Sequence, residues 1–171
     1  MSEIIIHRIA LGQPHRSGCA DAELAHILAG YLGEPPIIVT DARGKPHVAG
    51  DRIAFNLSHS EAMAIVAVSS EGPLGVDLEY RGRARDTAAL ARRYFTAAEA
   101  ALVAADPDAF YRIWTRKEAW VKAQGSGLAI PLDTVDVSGA VADWLIEDIA
   151  IAPDYAAAVA RPGGRASIRV I

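Results

Sequence analysis

The segment Phe110–Gly127, FYRIWTRKEAWVKAQGSG, constrains the fold most, because its pattern is typical of one helix ended by glycine. Residues that favour helices dominate its second half, and Gly125 and Gly127 lie where a helix C-cap is expected. Apolar residues recur at helical spacing and predict a buried stripe of Phe110, Ile113, Trp114 and Val121. Glu118 and Lys122 are four residues apart and share one face. On this segment alone, a surface ion pair is their ordinary interpretation.

Length and composition favour an ordinary globular protein. The 171 residues suffice for one domain or two small packed lobes. No apolar run reaches the roughly 18 residues of a membrane helix, and the N-terminus lacks the basic start and long apolar core of a signal peptide. The single cysteine, Cys19, excludes an internal disulfide and suits a reducing compartment. We therefore expect a cytoplasmic protein without a membrane partner.

The charge of the chain is negative overall but uneven. A net charge of −4 argues against nucleic acid as a partner. Nine of the 17 basic residues nevertheless fall between positions 81 and 122, namely Arg81, Arg83, Arg85, Arg92, Arg93, Arg112, Arg116, Lys117 and Lys122. Such a local basic surface indicates an acidic ligand or partner. The alternative interpretation is a solvated, arginine-rich helix.

Short apolar runs separated by turn residues predict a mixture of strands and helices. The predicted strands are Ile4–Ala10, Ile37–Thr40, Phe55–Ser58, Met63–Val68, Leu74–Leu78, Val135–Val137, Trp144–Ala150, Tyr155–Ala160 and Ala166–Ile171. Two further helices are predicted at Asp21–Leu32 and Asp86–Tyr94, and a third begins at Thr96 with the capping box TAAE. The short loop between Met63–Val68 and Leu74–Leu78 predicts an antiparallel hairpin.

The strongest internal boundary is Arg81–Arg85, RGRAR. Both sides of it carry helix and several strands, which weakly indicates two similar lobes, although no sequence repeat is evident. We expect an N-terminal lobe over residues 1–80 and a C-terminal lobe over residues 86–171, packed as one compact unit.

Three carboxylates are candidates for an all-oxygen metal site. Asp77 and Glu79 are two apart on a predicted strand, so both point to one face. With Glu118 they would form the hard, anionic site that Mg²⁺ prefers. Glu79 as a surface acid and Asp77 as a turn residue are the alternatives, although an unpaired acid within an apolar strand is costly. Lys122, one turn from Glu118, is suited to hold a phosphate or to move a proton.

His59 lies in the polar segment Ser58–Ser60, which is predicted to be an elbow after a strand. Its imidazole is suited to hydrogen-bond a phosphate, but a lone loop histidine is more often without catalytic function. The chain has neither GxxxxGK[ST] nor GxGxxG, so the common nucleotide-binding folds are disfavoured.

Three blocks of the sequence resemble the signature motifs of 4′-phosphopantetheinyl transferases. They are FNLSHS at 55–60, GVDLE at 75–79 and WTRKEAWVKAQGSGL at 114–128, in the order and spacing of that family. The chain is most similar to the two-lobed, surfactin-synthetase-activating type, whose GKP turn resembles Gly44-Lys45-Pro46. The resemblance extends from about Leu24 to Tyr155.

The resemblance implies transfer of the phosphopantetheine arm of coenzyme A to a serine of an acyl or peptidyl carrier protein. Adenosine 3′,5′-bisphosphate would be released, and Mg²⁺ would be required. The metal ligands of the family fall on Asp77, Glu79 and Glu118, and its motif lysine falls on Lys122, near the pyrophosphate or the attacking serine. Residues that hold the nucleotide end of coenzyme A fall on Lys45, Pro46, Ser58 and His59.

The implied fold is α+β, with two pseudo-twofold-related lobes, each a small, mainly antiparallel sheet with helices, and the active site between them. The implied pathways are fatty acid, polyketide or nonribosomal peptide biosynthesis, and the chain is expected to act as a monomer.

Carrier proteins of this kind are acidic, so the stretch from Arg81 to Arg93 is the expected docking surface. Glu118 or a water on the metal would take the proton of the serine. Larger members have a longer basic N-terminal segment, whereas only Arg8 and Arg16 precede the first helix here, so weaker binding of coenzyme A is expected.

Two other classes of function remain open on the sequence. One is a catalytically silent coenzyme A-binding or regulatory relative, which would not need all of Asp77, Glu79, Glu118 and Lys122. The other is a Mg²⁺-dependent phosphodiester hydrolase, which would remove the arm rather than add it. The mass of the carrier protein after incubation distinguishes the three.

Overall fold

The computed structural model describes residues 2–11, 19–125 and 130–171; Arg16 and Gly127 lie outside them. The strands are β1 Ser2–Ala10, β2 Ile38–Thr40, β3 Pro46–Val48, β4 Ala54–Ser60, β5 Met63–Ser69, β6 Gly75–Tyr80, β7 Trp144–Asp148, β8 Tyr155–Pro162 and β9 Ala166–Val170. The helices are α1 Cys19–Leu32, α2 Thr87–Tyr94, α3 Ala97–Ala105 and α4 Ala109–Gln124, followed by a 3-10 turn at Leu132–Thr134.

The strands form two main sheets and one small ribbon. The first sheet has the order β4-β5-β1-β9, the second has the order β6-β8-β7, and β2 pairs with β3. Strand β1 pairs in parallel with β9, and the other ladders are antiparallel. The predicted α+β class with small, mainly antiparallel sheets is therefore confirmed.

The two main sheets pack face to face over a shared apolar core. Ile4, Ile6 and Ile65 of the first sheet meet Leu78 and Val159 of the second in one buried cluster. Helix α1 covers the outer face of the first sheet through a separate cluster, and α4 packs against β6 and β8 on the outer face of the second. The layers are thus helix, sheet, sheet and helix, which is one of the ways to bury every apolar face.

The sheets do not follow the predicted lobes strand for strand. Strand β6 precedes the predicted boundary at 81–85 but belongs to the second sheet, and β9 follows it but belongs to the first. The chain therefore crosses between the sheets twice. The division into 1–80 and 86–171 stays a prediction.

Two local predictions are wrong. Met63–Val68 and Leu74–Leu78 do not form a hairpin, because β5 pairs with β4 and β1 while β6 pairs with β8. Six of the seven residues of β5 are buried, so it is a central strand with neighbours on both edges. Val135–Val137 is irregular rather than a strand; it follows the 3-10 turn and packs on the helices through Val137.

The capping box at Thr96 and the glycine end of α4 agree with the prediction, whereas Asp86, predicted as the first helical residue, is the N-cap of α2. The Asp86 side chain accepts a hydrogen bond from Ala89 N at the start of α2, and Thr96 forms the predicted capping box with Glu99. Helix α4 ends at Gly125, whose φ of 64° is left-handed. Helices long and apolar enough to cross a membrane are absent from the described part of the chain.

Candidate active site

Asp77 lies on β6 with its carboxylate buried, the side chain being 8% exposed. Its Oδ1 accepts hydrogen bonds from Lys122 Nζ at 2.6 Å and from Ser58 Oγ at 2.9 Å. Asp77 and Glu79 pair with Ala158 and Ala156 across β8, so both acids lie on one face of the second sheet. That face packs against α4, which carries Glu118 and Lys122.

The second oxygen of Asp77 lacks a partner. Oδ2 is buried and accepts no hydrogen bond from any described residue. Burial raises the pKa of the Asp77 carboxyl above its usual value, while the charge and hydrogen bond of Lys122 oppose that rise. A buried, half-satisfied carboxylate of this kind is a frequent mark of a functional site.

Glu79 is held between a cation and a hydroxyl. Arg85 Nη1 and Nη2 donate to its two carboxylate oxygens at 3.3 and 3.2 Å. Ser60 Oγ donates to Oε2 at 3.4 Å. Glu79 is therefore not the simple surface acid of the alternative interpretation.

Glu118 is partly buried on α4, near the acids of β6. Burial is the main cause that raises its carboxyl pKa, and the negative charges of Asp77 and Glu79 raise it further. The alternative interpretation of Glu118 and Lys122 as a surface ion pair does not hold, because Lys122 Nζ pairs with Asp77 instead. Lys122 thus bridges α4 and β6.

The three acids are electrostatically coupled but not preassembled around a metal. Within residues 2–11, 19–125 and 130–171, no group of three or more His, Cys, Asp or Glu side chains is arranged to hold an ion. The unpartnered Oδ2 of Asp77, beside Glu118 and Glu79, nevertheless provides the hard oxygen donors that Mg²⁺ prefers. The residues fit such an ion, and the metal site itself stays a prediction.

The GKP turn docks on the C-terminal end of α4. Lys45 Nζ donates to the carbonyl oxygens of Lys122 at 2.5 Å and Leu74 at 3.2 Å, and Arg43 Nη1 donates to Gly125 O at 3.1 Å. Both cations therefore complement the negative end of the helix dipole. Burial lowers the pKa of the Lys45 amine.

A cavity of about 490 Å³ opens beside this turn. Lys45, Pro46 and His47 line one side, and Phe55 and Gln124 are also among its lining residues. Its lining also includes Asp41 and Asp51, so among the described residues Lys45 is the one cation there, beside two acids and several apolar side chains. Apolar walls with a few polar groups are typical of small-molecule sites.

Ser58 and His59 have different environments although they are neighbours. Ser58 is 6% exposed and bonds to Asp77, Lys122 Nζ and Leu78 N. His59 is exposed on the same strand. The predicted elbow at Ser58–Ser60 is therefore the last part of β4, and the turn follows it at Glu61, whose φ is 51°.

The predicted basic surface is only partly a surface. Lys117 is fully buried and pairs with Glu99 at 2.7 Å, so its assignment to that surface is wrong. Arg83 pairs with Glu61, Arg85 with Glu79, and Arg116 with Asp148. The other exposed arginines of this set are Arg81, Arg92, Arg93 and Arg112, and Arg112 lies 3.9 Å from Asp148.

Several residues around the acids were missed by the sequence reasoning. They are Asn56, Ser60, Arg85 and Gly75, which contact β6 or lie on it. The alternation of Asn56, Ser58 and Ser60 with Phe55 and Leu57 was visible and predicts one polar strand face. The role of Arg85 carried no such signal, because its contact depends on how the chain turns after β6.

The fold and site define an α+β protein in which two acids of β6 face a helix that carries a glutamate and a lysine. The family model described as the 4′-phosphopantetheinyl transferase superfamily matches residues 73–159, about half of the chain. The chain therefore belongs to the 4′-phosphopantetheinyl transferase superfamily, as the motifs predicted.

Curated relatives include transferases from several bacteria. The chain is 41% identical over 128 residues to the 4′-phosphopantetheinyl transferase HetI of Nostoc sp., covering 67% of this chain and 53% of that protein. It is 39% identical over 116 residues to AcpT of Salmonella typhi, covering 64% and 60%. It is 36% identical over 104 residues to Sfp of Bacillus subtilis, covering 57% and 45%. The chain thus spans about half the length of the curated relatives that it matches.

Proposed function

We propose that this protein transfers the 4′-phosphopantetheine arm of coenzyme A to a serine hydroxyl of an apo acyl or peptidyl carrier protein. The bond formed joins the serine oxygen to the phosphorus that bears the arm. The bond broken is the pyrophosphate linkage, the serine proton is lost, and adenosine 3′,5′-bisphosphate leaves. The observation that carries the proposal is the buried carboxylate of Asp77, with one oxygen on Lys122 and the other without a partner, in a chain of this superfamily.

Asp77, Glu79 and Glu118 would hold Mg²⁺. When bound, the ion supplies positive charge against the pyrophosphate and the departing bisphosphate. Asp77 Oδ2 is buried and has no hydrogen-bond partner among the described residues, and the bound ion would provide one.

Lys122 and Glu118 are the proposed catalytic residues. Lys122 Nζ donates to Asp77 Oδ1 at 2.6 Å, to Ser58 Oγ at 3.1 Å and to Val76 O at 3.2 Å, so its ammonium lies at the acidic cluster. A phosphate oxygen would replace one of the two longer bonds and gain a charge-assisted one. Glu118 is the proposed acceptor of the serine proton, because its carboxylate belongs to the same acidic cluster as Asp77 and Glu79, where the pyrophosphate would lie.

The nucleotide end of coenzyme A is proposed to occupy the cavity beside the GKP turn. Lys45 offers an ammonium there, and Pro46 and Phe55 offer apolar surface. His59, which is exposed on β4, is proposed to reach a phosphate at the rim. The hydroxyl of Ser58, also predicted for this end, is fully engaged with Asp77, Leu78 N and Lys122 Nζ.

The remaining proposals concern the setting of the reaction. The carrier protein is expected to be acidic and to dock near Arg81 and Arg92, which are exposed. The enzyme is expected to act as a monomer, because its acids and its lysine come from one chain. It is expected in the cytoplasm, because a single cysteine suits a reducing compartment.

The test is to incubate the protein with coenzyme A, Mg²⁺ and a panel of apo carrier proteins and to weigh the carriers. Transfer adds the mass of the phosphopantetheine arm to one or more of them and releases the bisphosphate. A Glu118→Gln variant of matched size should abolish the product. If holo carriers instead lose the arm, the protein is a hydrolase; if coenzyme A binds and no carrier changes mass, it is a silent relative.

A further inference from the structure

Strands β4 and β6 are joined by side chains rather than by a backbone ladder. Alternate side chains of β4 accept hydrogen bonds from alternate backbone N–H groups on the free edge of β6. The three pairs are Asn56 Oδ1 with Val76 N at 2.8 Å, Ser58 Oγ with Leu78 N at 3.2 Å, and Ser60 Oγ with Tyr80 N at 3.0 Å. This polar seam closes one edge of the second sheet and links the two sheets.

The two serines of the seam also contact the acids. Ser58 Oγ donates to Asp77 Oδ1 at 2.9 Å, and Ser60 Oγ donates to Glu79 Oε2 at 3.4 Å. Each hydroxyl therefore accepts from one residue of β6 and donates to the carboxylate just before it. Asn56 bonds to the backbone in the same way, but the residue before its partner is Gly75, so this third rung holds no acid.

The hydroxyl of Ser58 has no capacity left for a ligand. A serine hydroxyl has one proton to donate and two lone pairs that accept. Ser58 Oγ donates to Asp77 and accepts from Leu78 N and Lys122 Nζ, which uses all three. At 6% exposure it is also withdrawn from solvent.

We infer that Ser58 and Ser60 are positioning residues, which fix the carboxylates of Asp77 and Glu79 for a divalent cation, rather than contacts for the nucleotide. The inference rests on the proposed function. By holding Oδ1 of Asp77 together with Lys122, Ser58 leaves Oδ2 as the oxygen free for the cation. Ser60 shares Glu79 with Arg85 and restricts it in the same manner. Partners that orient metal ligands typically change metal affinity 10–100-fold when removed.

The test compares Ser58→Ala, Ser60→Ala and Asn56→Ala in the full chain. Mn²⁺ serves as the probe because it suits carboxylate ligands and its free concentration can be measured by electron paramagnetic resonance. All three variants lose one seam bond and should melt at lower temperature. Ser58→Ala should also bind Mn²⁺ about 10-fold more weakly, with a smaller loss for Ser60→Ala, whose bond is longer. Asn56→Ala should keep the wild-type dissociation constant within about twofold, and Ser58→Thr should restore much of the affinity by restoring the hydroxyl.

The outcomes separate the inference from the proposed function. Equal Mn²⁺ affinity in Ser58→Ala and wild type, equal losses in all three variants, or a wild type that binds no Mn²⁺ would each overturn the positioning role. So would a Ser58→Ala variant whose KM for coenzyme A rises while its Mn²⁺ affinity is unchanged, since Ser58 would then serve the nucleotide. If only the proposed function fails, the variants show the expected differences in Mn²⁺ affinity, but no carrier in the panel gains the arm.

Discussion

At the scale of single residues, helix α4 carries two lysines with different roles. Lys117 is fully buried; it pairs with Glu99 and donates to the carbonyls of Leu132 and Val135 at 2.6 Å each. Lys122, five residues later, is partly exposed and pairs with Asp77 at the candidate site. The motif RKEAWVK therefore contains one structural and one site lysine, which sequence spacing alone does not distinguish.

The first prediction separates these two lysines by the effect of a cation. Lys117→Met leaves Glu99 buried without its charge partner and should lower the free energy of unfolding by about 3–5 kcal/mol. Mg²⁺ should stabilise this variant and the wild type alike, so the difference between them should persist. Lys122→Met should abolish most transfer, and its lost stability should return with Mg²⁺, because the ion replaces the missing charge beside Asp77. Thermal melts of both variants with and without Mg²⁺ give the answer. Equal recovery in both would contradict the assignment.

The second prediction concerns the pH dependence of stability at His7. Its Nε2 lies 2.7 Å from the hydroxyl of Tyr31, and burial, aided by the charge of Arg169, lowers the imidazole pKa below 6.5. The unfolded chain then binds the proton more readily than the folded one. Stability is full above the unfolded pKa of about 6.5 and is lost as pH falls through the lower folded pKa.

The variant His7→Gln should flatten this part of the stability curve. Chemical denaturation between pH 7.5 and 5 measures it (a range chosen from the ordinary histidine pKa of about 6.5). His26→Gln, exposed on α1, is the matched control and should retain the wild-type slope. An unchanged slope in His7→Gln would show that other groups carry the acid sensitivity.

At the scale of elements, the sequence predicted helices and their ends well, but it did not predict which strands pair. Helix α4 and the capping box at Thr96 depend on residues within a few positions of each other, so their signals are complete in the sequence. The pairing of β5 with β1 joins residues about 60 positions apart, as Ile4 with Ser69 shows. Such contacts are chosen by the packing of the whole chain.

The same distinction applies to the candidate site. The shared face of Asp77 and Glu79 follows from strand alternation and was predictable. The partner of Lys122 was not, because helix spacing favours Glu118 while the approach of α4 to β6 brings Asp77 closer. Arg85 and the polar seam likewise depend on how β6 lies against β4.

The third prediction tests the close approach of α4 to β6. A Cβ on Gly75 would overlap Ala119 O and Ala123 N, both of them backbone atoms of α4. Gly75→Ala should therefore push the helix away and cost about 3 kcal/mol in the free energy of unfolding. It should also lower transfer, because Glu118 and Lys122 move with the helix.

The matched control for Gly75→Ala is Gly30→Ala on α1. Apart from its two chain neighbours and the backbone of its own helix, no atom of the described residues lies within 4 Å of the position that the added methyl group would take. Alanine is also the better helix former by about 1 kcal/mol. This control should raise the stability and leave transfer unchanged. Chemical denaturation measures the free energy of unfolding of both variants. An unchanged value for Gly75→Ala would mean that α4 is not held where it contacts β6.

At the scale of the whole molecule, the candidate site gathers residues from both sheets and from α4. Strand β4 of the first sheet supplies the serines, β6 of the second supplies two acids, and α4 supplies Glu118 and Lys122. One chain therefore contains all the proposed machinery.

The fourth prediction follows from that completeness: a monomer should be active. Asp77→Ala and Glu118→Ala should each be inactive, and mixing them should restore nothing, because each chain needs both of its own acids. Sedimentation with simultaneous transfer assays measures this. Activity found only in an oligomer, together with recovery on mixing, would show that the site is shared between subunits.

The last prediction concerns how the carrier protein docks. Arg83 is engaged with Glu61, so the cleaner reversals are Arg81→Glu and Arg92→Glu, both exposed in the basic stretch that follows β6. Each exposed charge contributes only about 0–1 kcal/mol, but together such charges steer the encounter of the two proteins. The double variant should raise the KM for the carrier several-fold, leave the KM for coenzyme A nearly unchanged, and approach wild type as salt screens the charges.

The control Arg8→Glu with Arg165→Glu makes the same change in net charge at other exposed positions and should have little effect. If the KM for coenzyme A rises instead, Arg81 and Arg92 bind the nucleotide, and the acidic partner docks elsewhere.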